Sequence, residues 1–217
     1  CCNLETKNTE LVSMSTDPRT RILEYAFSEF TRHRFHKYTM DELATNLKMS
    51  KKTIYSYFPA KEDLIREAIH TFLEMNAGII KGYLQQDTTA VEKFISIISH
   101  FSKVTQSFSS KWVHDLKVLT PALWSDIEQR RQTIISNVIA VLWKQGIEEG
   151  TFKPYPIEIV LQTYLSALNA VVNPEFISTL PYSVNEAFHI VTEILTNGFA
   201  TDKGNKQIRK IIKGHNV

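Results

Sequence analysis

Between Ser50 and Phe58 the chain reads Ser-Lys-Lys-Thr-Ile-Tyr-Ser-Tyr-Phe. Two adjacent ammonium groups and a set of hydroxyls fall within two helical turns. Lysine pairs with phosphate or with the acceptor pair of guanine, and Ser or Thr hydroxyls contact base edges or backbone. If Ser50 caps a helix, Lys51, Lys52 and Thr53 form its first turn. Tyr55 and Ser56 then lie one turn further on, while Ile54 and Phe58 face a small core. Tyr55 and Tyr57 place phenol oxygens within reach of phosphate with their rings packed on the domain. The plainer alternative is a solvated helix with ordinary surface lysines, which has little use for the phenols.

Such a helix needs a support, and the flanking residues provide one. Thr39 stands three residues before Glu42 as a capping box, with Tyr38 placed to staple onto Leu43. Leu43, Ala44 and Leu47 supply an inward stripe. The same grammar repeats at once, with Ser50 as cap and Met49 facing Ile54. Only Lys48-Met49-Ser50 separates the two helices, the spacing of a helix-turn-helix. In that motif the first turn of the second helix enters the major groove. An earlier helix opens at Thr16-Asp17-Pro18 and carries Ile22, Ala26 and Phe30 on one face. A later one starts near Lys61, where Glu62 and Asp63 suit a positive helix end. Leu64, Ala68, Phe72 (or Ile69) and Met75 carry its apolar periodicity towards Leu84.

The charge follows the same lines. The 217 residues carry a net charge of only +2, so a basic footprint must be local. From Arg32 to Phe58 the cations Arg32, Arg34, Lys37, Lys48, Lys51 and Lys52 outnumber Asp41 and Glu42. Gly and Pro number seven each, and apolar residues recur three and four apart, which predicts an all-α chain. Thr89 with Glu92 opens a helix whose apolar face runs from Phe94 to Phe108. Further helices are expected at Ser110–Leu119, from Pro121 to Glu149, from Pro156 to Val172 and from Ser183 to Ala200. Gly150 takes the C-cap role. No apolar run reaches the ~20 residues of a membrane span. The only cysteines are Cys1 and Cys2, which excludes a disulfide framework and suits a reducing cytoplasm. Cys1 could alternatively be the lipid-bearing end of a processed lipoprotein, but no apolar signal segment supports that. The expected organisation is a disordered or non-native extension over 1–14, a helix-turn-helix domain over 15–60, a ligand-binding and dimerisation domain over 61–201, and a basic tail over 202–217, frayed or weakly helical.

The stretch from Arg19 to Ile69 resembles the DNA-binding segment of the TetR family of transcriptional regulators. Ala26, Phe30, Phe35, Thr39, Leu43-Ala44, Ser50, Thr53, Tyr55, Tyr57-Phe58 and Lys61-Glu62-Asp63-Leu64 carry the resemblance. "WKQGIEEGTF", from Trp143 to Phe152, is a weaker echo of the family's ligand domain. The resemblance implies a three-helix head on a larger C-terminal helical bundle, acting as a homodimer on a palindromic operator in double-stranded DNA. It implies a repressor released by a small-molecule effector of unknown identity. Lys51, Lys52 and Thr53 would lie near base edges; Thr39, Tyr55, Tyr57 and Lys61 would hold phosphates, beside Ser50 and Ser56. Arg34 and Lys48 stand where the family commonly has glycine, and Ala60 where it has a polar cap. The cations of Arg34 and Lys48 are candidates for phosphate contact instead.

Other constellations point elsewhere less well. His33 and His36 have metal-ligand spacing on a helix but lack a third ligand nearby, so no metal site is expected. No nucleophile elbow, phosphate-cradling glycine loop or paired-carboxylate motif occurs, and neither enzymatic activity nor a cofactor is expected. Phe101, Phe108, Trp112, His114, Trp124 and Tyr164 are candidates for an effector pocket, although each is first of all a core residue. The rival reading is a helical ligand-binding or adaptor protein that does not bind DNA.

Overall fold

The computed structural model describes residues 17–32, 38–105, 110–171, 173–177 and 179–214. Helices account for nearly all of them. The elements are α1 (Pro18–Arg32), α2 (Met40–Leu47), α3 (Lys51–Tyr57), α4 (Lys61–Leu84), α5 (Ala90–Thr105), α6 (Ser110–Leu119), α7 (Pro121–Glu148), α8 (Ile157–Val171), α9 (Pro174–Ile177), α10 (Val184–Phe199) and α11 (Asp202–Gly214). Among the described residues there is no strand; Phe152 and Ala200 form one isolated antiparallel bridge. No helix is long and apolar enough to cross a membrane.

Helix starts follow the capping residues. Asp17 Oδ2 accepts from the Thr20 amide at 2.9 Å and from its hydroxyl at 2.6 Å, which holds the Asp17 carboxyl below its ordinary range. Capping boxes close at Thr39/Glu42 and Ser183/Glu186. A third joins Thr89 and Glu92, with the Thr89 amide donating to Glu92 Oε2 at 2.9 Å. Each satisfies amides that a helix N-terminus leaves without partners.

The chain divides into two compact units. The first holds α1 to α3, the start of α4 up to Met75, and the segment Lys111–Ile127. Its core includes Ile22, Ala26, Phe30, Leu43, Ile54, Phe58, Leu64 and Ile65, all essentially without exposure. The second holds Asn76–Ser110 and the chain from Glu128 onward. Ile80, Val91, Phe94, Ile97, Val138, Leu142, Trp143 and Phe152 form its main cluster. Tyr164, Leu168, Phe188 and Val191 form a second one with Ile135.

Two expectations need correction. The inward stripe of α4 does not pass through Met75, which is 57% exposed. It passes through Asn76 and Ile80, both buried. Asn76 tolerates burial because its Oδ1 accepts from His100 Nε2 at 2.7 Å, as a buried amide requires. The tail after Asp202 is a docked helix, α11. Its Ile208 and Ile211 pack against the main cluster, which supplies the burial that a short helix needs. Its entry is fixed by Thr201, whose amide donates to the Thr151 carbonyl at 2.9 Å and whose hydroxyl donates to the Gly150 carbonyl at 2.8 Å. Gly150 turns the chain at φ +68, a conformation glycine adopts without steric cost. A Cβ at Gly204 would meet the Thr151 carbonyl oxygen at 2.2 Å, so only glycine permits this approach.

Candidate nucleic-acid interface

The helix-turn-helix forms from α2 and α3. Ser50 has extended backbone angles, φ −71 and ψ 147, and its Oγ accepts from the Thr53 amide at 3.0 Å. The two hydroxyls of Ser50 and Thr53 lie 2.7 Å apart. Ile54 and Phe58 are fully buried and seat the helix. Arg19 of α1 closes over Phe58, its guanidinium carbon 5.6 Å from the ring centroid, and also pairs with Glu67 of α4. Beneath the motif, Phe30 and Tyr38 meet edge to face at 5.9 Å. The Tyr38 hydroxyl accepts from Asn46 Nδ2 at 2.8 Å, and burial pushes its pKa up.

With the inner face so anchored, the outer face is determined. Lys51, Lys52, Tyr55, Ser56 and Tyr57 are all exposed. Exposure of the two phenols, 45% and 39%, is unusual for residues beside such a tight core. Ser56 Oγ donates to the Thr53 carbonyl at 2.7 Å and retains its lone pairs for an external donor. Thr39 is exposed at the start of α2, and its hydroxyl shares Glu42 Oε2 with its own amide. Lys61 is half-buried, with Nζ 5.7 Å from the Phe30 centroid. Burial lowers its pKa, opposed by Glu62 and Glu42.

The turn contains a feature that sequence alone only suggested. Lys48 sits in the left-handed region, φ 54 and ψ 39. Its amide donates to Thr45 O at 3.1 Å, and the Met49 amide donates to Ala44 O at 3.0 Å. Among the described residues it is the one non-glycine with positive φ. Holding lysine there costs about 1 kcal/mol, and strain of this kind persists where the surroundings fix it. The side chain it presents is an exposed cation next to the reading helix. Lys51, in turn, is paired across the motif: its Nζ lies 2.6 Å from Asp41 Oδ2 of α2.

Residues 22–68 match the family model of bacterial regulatory proteins of the tetR family. That segment carries a DNA-binding domain of the tetR-family type. The chain is 21% identical over 184 residues to the uncharacterized HTH-type transcriptional regulator YvaF of Bacillus subtilis, covering 84% of this chain and 96% of that one. It is 23% identical to the fatty acid metabolism regulator protein of the same organism, with 82% and 93% covered. A solved TetR-family regulator from Agrobacterium tumefaciens superposes at TM-score 0.65 with 12% identity, covering 84% of this chain and 97% of that one. That structural likeness shows the all-α fold.

The candidate pocket residues fall in both units. Phe101 and Tyr164 belong to the second, where Phe101 packs on the cluster containing Tyr164. Trp112, His114 and Trp124 belong to the first, Trp112 buried and His114 exposed. Phe108 lies outside the described residues, as do His33, His36 and Arg34. No group of three His, Cys, Asp or Glu among the described residues is placed to hold a metal. The second unit contains a cavity of about 20 Å³ lined by Phe94, Ile139, Leu142, Trp143, Phe152 and Tyr164, among others. Of the lining residues, Trp143 commits its Nε1–H to the Tyr155 carbonyl at 3.0 Å, and burial pushes the Tyr164 phenol up to about 12. Trp143 and Phe152 were legible as the ends of "WKQGIEEGTF"; nothing in their spacing signalled a cavity.

Proposed function

We propose that this regulator reads a palindromic operator as a homodimer and is a repressor released when a small molecule binds its larger unit. The observation that carries the DNA reading is the outer face of α3, cations and phenols projecting from a helix whose Ile54 and Phe58 are fully buried. Lys51, Lys52 and Thr53 are assigned to base edges. Thr39, Lys48, Ser50, Tyr55, Ser56, Tyr57 and Lys61 are assigned to phosphates. Exposed isoleucines support the dimer: Ile159 on α8 and Ile194 on α10 are 63% and 64% exposed, and these two helices touch each other. Paired with a second copy, they would form a four-helix bundle and cover apolar surface otherwise left in water.

The cavity's walls support an effector with an apolar body and few polar atoms. A relative named for fatty acid metabolism favours the same chemistry. Ligand pockets span ~300–1,000 Å³, so entry requires the walls around Tyr164 to move. Such a ligand favours one arrangement over another and shifts operator affinity by that difference. Because α4 begins in one unit and ends in the other, it is the proposed link.

Selection of bound duplexes from a random pool tests the reading. The expected product is an enriched palindrome with half-sites ~34–36 Å apart or a multiple of that. No enrichment would defeat the DNA reading, and enrichment of a single asymmetric half-site would defeat the dimeric one. Fatty acids of graded length, added to the protein–operator complex, are expected to release the duplex.

A further inference from the structure

Lys51 is paired with Asp41 at 2.6 Å across the two helices of the motif. Both side chains are 60% exposed, so no burial enforces the contact. The other carboxylate on α2, Glu42, is committed to the Thr39 capping box. Asp41 is therefore the acid on α2 that engages the reading helix. An ammonium group has three N–H donors. One donor to Asp41 leaves two, which suffices for the O6 and N7 acceptors of a guanine.

We propose that Asp41 is a positioning residue for sequence discrimination: it holds Lys51 over the groove and away from the phosphates. This rests on the DNA reading above. A lysine on a flexible four-carbon stem otherwise swings to the nearest phosphate, because phosphate attraction is strong and carries no sequence information. Tied to Asp41, its ammonium is available to a base edge but not to the backbone. The device thus trades general affinity for discrimination, as specificity often requires.

The test uses the full chain, the enriched operator and a random-sequence duplex, with binding followed by fluorescence anisotropy over a salt series. In Asp41→Asn, Lys51 is expected to reach phosphate, so random-duplex affinity rises about two- to fivefold, the worth of an exposed ion pair. The slope of log affinity against log salt steepens by about 0.9. Operator affinity stays level or falls, so the operator-to-random ratio drops at least about twofold, and by a further factor of about five or more where the base contact itself is lost. Asp41→Glu keeps the charge and is expected to restore the wild-type slope. In a Lys51→Gln background, Asp41→Asn is expected to change neither slope nor ratio. Equal strengthening of both duplexes, or a full effect in the Lys51→Gln background, would mean that Asp41 merely repels DNA and would overturn the proposal. A wild-type protein that binds neither duplex would instead overturn the DNA reading itself.

Discussion

A single residue here can work for and against stability at once. Lys48 occupies a left-handed backbone position that favours glycine, yet presents a cation beside α3. Lys48→Gly is expected to stabilise the protein by about 1 kcal/mol in chemical denaturation. With Lys48 on a phosphate as proposed, the same substitution should reduce the salt slope of duplex binding by about 0.9. Lys52 and Tyr55 have no such conflict, being exposed on a helix held from its other face. Lys52→Ala and Tyr55→Phe should weaken operator binding in gel-shift titrations and leave the circular-dichroism helix signal intact. A base contact by Lys52 would cost about 1–3 kcal/mol at one operator position, whereas a phosphate contact would weaken all sequences alike.

Within elements, polar groups decide where helices begin and what they accept into their packed faces. His100 of α5 donates to buried Asn76 of α4 at 2.7 Å. Burial is the first cause lowering its pKa from 6.5, and the nearby Lys103 charge the second. The folded state thus holds the imidazole neutral more firmly than the unfolded chain does. The stability tied to this difference is present above about pH 6.5 and is lost as pH falls through the depressed value. Thermal melts from pH 7.5 down to 5.5 should show this loss, and His100→Gln should flatten that part of the profile. The seat of α11 is more rigid. Gly204→Ala places a methyl against the Thr151 carbonyl, where backbone cannot yield as a side chain would. The expected cost is about 1–3 kcal/mol, seen as faster proteolysis after Thr201.

For the whole molecule, the proposed dimer rests on apolar side chains standing in water. Ile194→Glu would bury a carboxylate against its symmetry mate if α8 and α10 form the interface. It is expected to yield monomers in sedimentation velocity and to weaken operator binding sharply, with a retained helix signal. A dimer unaffected by this change would place the interface elsewhere.

Much of this was legible along the chain, and the reason is locality. Capping boxes and the Ser50 cap are contacts between residues three apart, so their spacing in sequence is their spacing in space. The outer face of α3 followed from the same rule: once Ile54 and Phe58 turn inward, 3.6-residue geometry turns Lys51, Lys52 and Tyr55 outward. Locality also misled at Met75, where a run of apolar residues suggested a stripe. The buried position went to Asn76, because His100, far along the chain, satisfies its amide. The seating of α11 on Thr151 and the cavity beside Tyr164 likewise depend on partners remote in sequence. So does the tie between Lys51 and Asp41. Helical periodicity and capping follow from nearby covalent geometry, whereas pairings between distant segments exist only once packing has brought them together.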